Sequence, residues 1–186
     1  MRTTYLEQLT PQEIRPARTP DPRVTITRVE LPAPEFCRFL YTAVGGDWYW
    51  TDRLPWSRTA WVEYLSRPMV ETWVAWSRGA PAGYVELAGS STVDVSEVEI
   101  AYFGLLPGFL GQGLGGHLLT EALRLAWSMA GRWPRTPPVR RVWVHTCTLD
   151  GPAALANYQA RGLIPFRVED AETEVSGSPP GSWPGP

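Results

Sequence analysis

Four glycines fall within six residues at positions 111–116, between a strand-like stretch and an amphipathic helix. Glycines so placed weaken turn and helix unless the backbone must come close to something. In Leu110-Gly111-Gln112-Gly113-Leu114-Gly115-Gly116, successive N–H groups can point into one concavity. The helix N-terminus adds roughly half a positive charge there. The chemistry is that of a phosphate or pyrophosphate cradle. Gly111, Gly113 and Gly116 also satisfy G-x-G-x-x-G, the dinucleotide-binding pattern. That fingerprint wants an acidic residue about 20 positions further on, yet after Glu121 the next acid is Asp150. It also belongs after a first strand, whereas several elements precede this turn.

Other reactive groups are few. Glu97 and Glu99 lie two residues apart, so on a strand they share a face. A carboxylate there could take a proton from an amine; the alternative is a solvated strand face. His145, on a later strand, could be a base or simply a hydrogen-bonded histidine. His117 sits in the first turn of the helix, where it could approach a phosphate. Cys37 and Cys147 have no second Cys at metal spacing, and Cys147, with no local activating pattern, reads as a buried thiol.

The elements that must hold these groups follow from periodicity and turn chemistry. Positions 24–29 alternate β-branched and polar residues and predict a strand. Positions 35–44 predict a helix with Phe36, Phe39, Leu40 and Ala43 on one face, stopped at Gly45-Gly46. Ser57 is a plausible N-cap for a second helix carrying Trp61, Tyr64 and Leu65, ended by Pro68. Strands over 71–76 and 83–87 flank a turn and predict an antiparallel hairpin. Over 93–106 a long strand-like stretch places Val98, Ile100 and Tyr102 in alternation with Glu97, Glu99 and Ala101. A helix over 117–130, a strand over 141–148, a short helix over 153–161 ended by Gly162 and a last strand over 163–168 complete the order. The 1–22 segment, rich in Pro and Arg, reads as an extended arm, 23–170 as the single domain, and 171–186 as a disordered tail rich in Pro, Gly and Ser.

With the elements in place, 99–107, the glycine turn and the following helix resemble motif A of the GNAT superfamily of N-acetyltransferases. Asp150-Gly151-Pro152-Ala153-Ala154-Leu155-Ala156-Asn157-Tyr158-Gln159-Ala160-Arg161-Gly162-Leu163 resembles its motif B, D-N-x-x-A-x-x-x-Y-x-x-x-G-F. The resemblance covers about residues 23–170. It implies an α/β (α+β) fold: a GNAT-like mixed, mostly antiparallel sheet of about six to seven strands, splayed at the centre and flanked by about four helices. It departs at Leu110, where the family carries Gln or Arg, at Gly151 for Asn and at Leu163 for Phe.

The resemblance further implies acetyl-CoA as co-substrate and no metal. Phe103, Gly104, Leu105 and Leu106 would lie along the acyl-pantetheine, and a backbone N–H near Leu105 would polarise the thioester carbonyl. Leu110, Gly111, Gln112, Gly113, Leu114, Gly115 and Gly116 would hold the pyrophosphate, and Asn157 could bond the pantetheine. Glu99 takes the place of the catalytic glutamate, and Tyr158 that of the tyrosine that protonates the departing thiolate. The acceptor wall would include Trp48, Trp50 and Trp56, with Glu97 nearby. Asp47 and Asp52 could attract an amine. The implied activity is acetyl transfer to a primary amine by direct attack in a ternary complex. The alternatives are a CoA-binding sensor with a degenerate site and a nucleotide-cofactor oxidoreductase.

Composition bounds the rest. The chain has 186 residues, ten Trp, seventeen Arg and no Lys, and a net charge of -2. No basic stripe argues for nucleic acid as a partner, and no run of about 18 apolar residues argues for a membrane span. The expected setting is the cytoplasm, the expected partner a small-molecule or peptide amine, and the candidate assembly a homodimer.

Overall fold

The computed structural model describes residues 1–18, 23–172 and 177–183. β1 (Arg2–Gln8) and β2 (Val24–Arg28) precede two helices, α1 (Pro34–Gly45) and α2 (Arg58–Leu65). α2 is capped as its sequence predicts: Ser57 Oγ accepts the Ala60 N–H at 3.1 Å. β3 (Val70–Ser77) and β4 (Ala80–Ser91) form the hairpin, its turn made by Arg78 and Gly79, both at positive φ. β5 (Ser96–Leu105), α3 (Leu114–Trp127), β6 (Val139–Cys147), α4 (Ala154–Ala160) and β7 (Ile164–Asp170) follow.

Among the described residues the seven strands make one mixed sheet, ordered β2-β3-β4-β5-β6-β1-β7. Only β5 and β6 pair in parallel. The two faces are covered separately, and strand alternation shows it. Val74 and Tyr84 pack with Leu40 and Val44 of α1. Their neighbours Ala75 and Val85 pack with Leu118, Leu119 and Leu123 of α3, in a core that also takes Tyr158 of α4. Each of those α3 leucines is fully buried, and its removal would cost about 2–5 kcal/mol.

Three expectations are adjusted. Residues 2–8, read from sequence as part of an arm, are an internal strand between β6 and β7. Leu6 is fully buried there and Gln8 is 1% exposed, so one face of the segment belongs to the core. The 19–22 part of the arm and the 173–176 and 184–186 parts of the tail lie outside the described residues. Within the tail, Gly181 N–H donates to Gly46 O at 3.0 Å and Ser182 N–H to Asp47 Oδ1 at 2.9 Å. Finally, α3 begins at Leu114 rather than 117, so Gly115 and Gly116 are helical.

The sheet opens at its centre. β5 and β6 pair from Ser96/Val139 to Glu99/Trp143 and no further. Beyond that point β5 stays on β4 and β6 stays on β1. A bulge drives the divergence: Glu86 opposes Tyr102 and Leu87 opposes Ile100, which leaves Ala101 as the extra residue. The bulge also exchanges faces. Val98, Ile100, Phe103 and Leu105 all join the α3 core, whereas Tyr102 turns to α1 and packs against Trp50 and Tyr41. A strict alternation would have put Tyr102 beside Val98.

Candidate active site

The opening between β5 and β6 is a cleft of about 850 Å³ that passes through the sheet. Ile100 to Leu105 form one wall; His145 and Cys147 form the other. Backbone geometry leaves the β5 wall with free donors. Leu106 N–H is used by Ala82 O at 2.9 Å. N–H groups alternate along a strand, so those of Leu105 and Phe103 point away from β4 and across the gap.

On the α3 side the cleft meets the glycine turn. Gly111 and Gly113 have φ of 74° and 76°, a left-handed conformation that side chains resist. Gly113 is the N-cap of α3, with no side-chain cap. The helix therefore starts on bare N–H groups, beside Gly111, Gly115 and Gly116 in the cleft wall. A Cβ on Gly116 would sit 2.5 Å from Arg161 Nη1, so the guanidinium lies against this turn. Arg161 Nε is buried and has no partner among the described residues. Open helix donors and an unpaired guanidinium nitrogen fit an anionic ligand such as a pyrophosphate.

Most residues expected to touch coenzyme A line this cleft: Phe103, Gly104, Leu105 and Leu110, then Gly111, Gly115, Gly116 and Asn157. Gln112, Gly113, Leu106 and Leu114 do not. Gln112 Nε2 is bonded to Gly108 O at 2.9 Å, Leu106 packs on the α1 side, and Leu114 is in the core. Leu110 is 49% exposed and brings no polar group.

Tyr158 of α4 lines the cleft, its ring 6.0 Å from that of Phe103. It is 5% exposed, and burial, then the nearby Asp150 charge, push its phenol well above the ordinary range. Its hydroxyl makes no hydrogen bond among the described residues, although its backbone carbonyl accepts from Arg161 and Leu163 N–H.

On the α1 side the expected acids and the observed wall separate. Glu99 stands behind the wall rather than in it, with Oε1 3.3 Å from His145 Nδ1. His145 is the residue that lines the cleft. Its pKa is raised, first by the hydrogen bond with Glu99, against burial, and further by the charges of Glu99, Asp150 and Asp52. Glu97 points elsewhere and accepts from Arg141 Nη1 at 3.2 Å. His117 is on α3 and does not line the cleft. Cys147 does, but burial first, and then Asp150, raise its thiol; the buried Cys37 is raised to about 11.

Two of the three expected tryptophans, Trp48 and Trp50, line the cleft. Trp56 instead packs edge-on against Trp61 and Tyr64 and under the Arg53 guanidinium. Trp48 reaches the β6–α4 connection, and a Cβ on Gly151 would lie 3.5 Å from its ring. That spacing leaves room for a methyl group at 151 and sets the Trp48 ring against anything longer. Gly151→Ala should be tolerated, because 3.5 Å is ordinary contact. Gly151→Asn should displace Trp48 and cost about 1–3 kcal/mol of overpacking, read as a lowered Tm beside an unchanged alanine variant.

Sequence reasoning did not place Tyr102, Asp150 or the pair Arg53–Glu86 in this region. Asp52 lines the cleft and accepts from Tyr41 Oη at 2.6 Å and from Tyr102 Oη. Arg53, next to it, turns inward to Glu86 with contacts of 2.9 and 2.8 Å.

Comparison with known proteins agrees with this geometry. The sequence profile of the acetyltransferase (GNAT) family matches residues 37–163. The chain belongs to the GNAT family. Its fold is shared by a GCN5-related N-acetyltransferase from Kribbella flavida, at 20% identity and a TM-score of 0.59, over 89% of this chain and 55% of that one. It is shared by a tandem GNAT protein from the clavulanic acid biosynthesis pathway, at 15% identity and a TM-score of 0.56, over 89% and 50%. An aminoglycoside acetyltransferase from an uncultured soil metagenomic sample matches at 15% identity and a TM-score of 0.61, over 86% and 96%. This GNAT chain thus spans about half the length of the first two. Among curated proteins none matches in sequence. No helix among the described residues is long and apolar enough to cross a membrane.

Proposed function

We propose that this GNAT protein is an acetyl-CoA-dependent N-acetyltransferase acting on a primary amine by direct transfer in a ternary complex. The observation that carries the reading is the splayed β5–β6 cleft, with free N–H groups on β5 and an anion cradle at the start of α3. Gly111, Gly115, Gly116 and Arg161 would hold the pyrophosphate, and Phe103 to Leu105 the pantetheine arm. Acetyl-CoA, when bound, supplies a thioester carbon open to attack by a neutral amine.

The chain's own groups supply the rest. Leu105 N–H is a fixed donor at the β5 wall, the type of group that stabilises developing oxyanion charge. His145 accepts a proton from the incoming ammonium, and Glu99 orients the imidazole through Nδ1 and stabilises its charged form. Glu99 thus becomes a positioning residue, with His145 as the base. Tyr158 Oη keeps its proton across the physiological range and is a donor from the cleft wall. The raised Cys147 thiol is a poor nucleophile, which favours direct transfer over an acyl-cysteine.

Calorimetry with acetyl-CoA, CoA and NADH, followed by thiol-release assays over a panel of amines, tests the reading. Binding of acetyl-CoA with thiol release supports it; NADH binding without acetyl-CoA binding overturns it. Acetyl-CoA binding with no turnover on any amine would instead make the protein a CoA-binding sensor, which the apolar Leu110 in the turn would suit. Tyr158→Phe is expected to lower kcat about 10²-fold and leave the acetyl-CoA Kd unchanged. Unchanged turnover would remove Tyr158 from its role.

A further inference from the structure

The cleft is lined by two acids, Asp52 and Asp150, and on its α1 side by aromatic rings. No arginine side chain lines it among the described residues, and the chain has no lysine. Asp52 is the informative group. Its Oδ1 accepts from Tyr41 at 2.6 Å and its Oδ2 from Tyr102, so two neutral donors fix the carboxylate plane while each oxygen retains a lone pair. No cationic side chain pairs with Asp52 among the described residues. The neighbouring Arg53 is turned away and neutralised by Glu86. Asp150 repeats the pattern: its Oδ2 takes the Thr146 hydroxyl at 2.7 Å and the Cys147 N–H at 2.9 Å, and no cationic side chain forms an ion pair with it among the described residues. The Met1 ammonium at the rim donates to Ala171 O at 2.6 Å.

Two fixed carboxylates in the cleft, with Arg161 set apart at the glycine turn, attract a cation and disfavour an anion beside them. The surfaces beside them are indole and phenol rings. Trp50 is held edge-on to Tyr102 at 4.9 Å and to Tyr84 at 6.3 Å, and Trp48 extends to Gly151 across the mouth. Such rings offer flat apolar area and a negative face for a cation.

We propose that the acceptor is an arylalkylamine-type cation: a primary amine on a flat apolar body with no carboxylate or phosphate of its own. Asp52 holds the ammonium, and Trp48 and Trp50 hold the body. A free amino acid is disfavoured, because its carboxylate would face Asp52 and Asp150 with no arginine beside them to meet it. The proposal rests on the acetyltransferase reading.

The test uses substrate pairs that differ only by the carboxylate: tryptamine against tryptophan, and phenethylamine against phenylalanine. With the full chain and acetyl-CoA, kcat/KM for each amine is expected to exceed that of its amino acid by about 30-fold or more. Asp52→Asn should raise KM for tryptamine about tenfold and change kcat little, the signature of lost binding to substrate and transition state alike. Equal rates for tryptamine and tryptophan overturn the proposal, as does an unchanged tryptamine KM in a folded Asp52→Asn protein. Acetylation of spermidine or an aminoglycoside but not of tryptamine overturns it while acetyl transfer stands. No acetyl-CoA binding and no thiol release with any amine would bring down the underlying reading and this proposal together.

Discussion

Replacing His145 with glutamine is expected to lower kcat/KM by about 10²–10⁴-fold, the range typical of a lost general base. The reason is positional. An acceptor amine arrives as an ammonium and must lose a proton before it can attack. Of the candidate bases, Glu97 is engaged by Arg141 and Glu99 lies behind His145. His145 lines the cleft. Its pKa is raised, first by the Glu99 hydrogen bond, so it is a stronger base than a free imidazole and needs a higher pH to be neutral. The wild-type kcat/KM should therefore climb with pH through a midpoint above about 6.5. In Glu99→Gln the raising partner is gone: the midpoint should move to lower pH and the plateau should fall, because a weaker base faces the same ammonium. In His145→Gln this limb should vanish. A limb unchanged in both variants would assign the proton to water or to Asp52. Stability runs the opposite way with pH. The His145–Glu99 pair contributes fully below the unfolded pKa of histidine and is lost as pH rises through the higher folded value.

This assignment shows which parts of the site one sequence can display. The glycine turn and the Asp150–Leu163 segment are continuous in the chain, and their chemistry is local: positive φ at Gly111 and Gly113, and a short helix bearing Asn157 and Tyr158. Both were legible. The partnership of His145 with Glu99 depends on the β5–β6 register. Glu99 pairs with Trp143, which sets His145 two residues on along the same face. Nothing local in either strand fixes that register. Sequence alternation puts Tyr102 on the face of Val98, but the bulge at Ala101 breaks that alternation, and a bulge has no mandatory residue. β1 was hidden because its pattern is short and adjoins a proline-rich stretch. It becomes a strand because pairing on both edges satisfies its backbone and Leu6 fills the core. Of the tryptophans between α1 and α2 and at the start of α2, Trp48 and Trp50 line the cleft, whereas Trp56 packs on Arg53 and Trp61 is buried in the core.

Arg53 leads to the second large effect. Glu86→Ala is expected to destabilise the fold by about 3–5 kcal/mol, the usual cost of stranding a buried charge. For a domain of this size that is about 10 °C of Tm. Arg53 and Glu86 are 5% and 2% exposed. They form a bidentate pair, and Tyr64 Oη adds a bond to Glu86 at 2.7 Å. The guanidinium carbon also lies 4.2 Å from the Tyr64 ring centre, 4.3 Å from that of Tyr102 and 4.6 Å from that of Trp56. Without Glu86 those rings cannot replace the lost water around the charge. The pair itself need not favour the folded state over an apolar substitute, so Arg53→Met combined with Glu86→Leu should recover much of the loss. The double-mutant cycle, followed by thermal and urea unfolding, measures the coupling. Additive losses would mean that the pair is not the source. The pair also bears on activity, because it anchors the connection between α1 and α2 to β4 beside Asp52. Glu86→Ala should therefore raise KM for the amine even below its melting range and leave acetyl-CoA affinity unchanged, since the cradle at α3 touches neither residue. An equal loss of affinity for both substrates would mean that the whole cleft, rather than its acceptor wall, depends on Arg53.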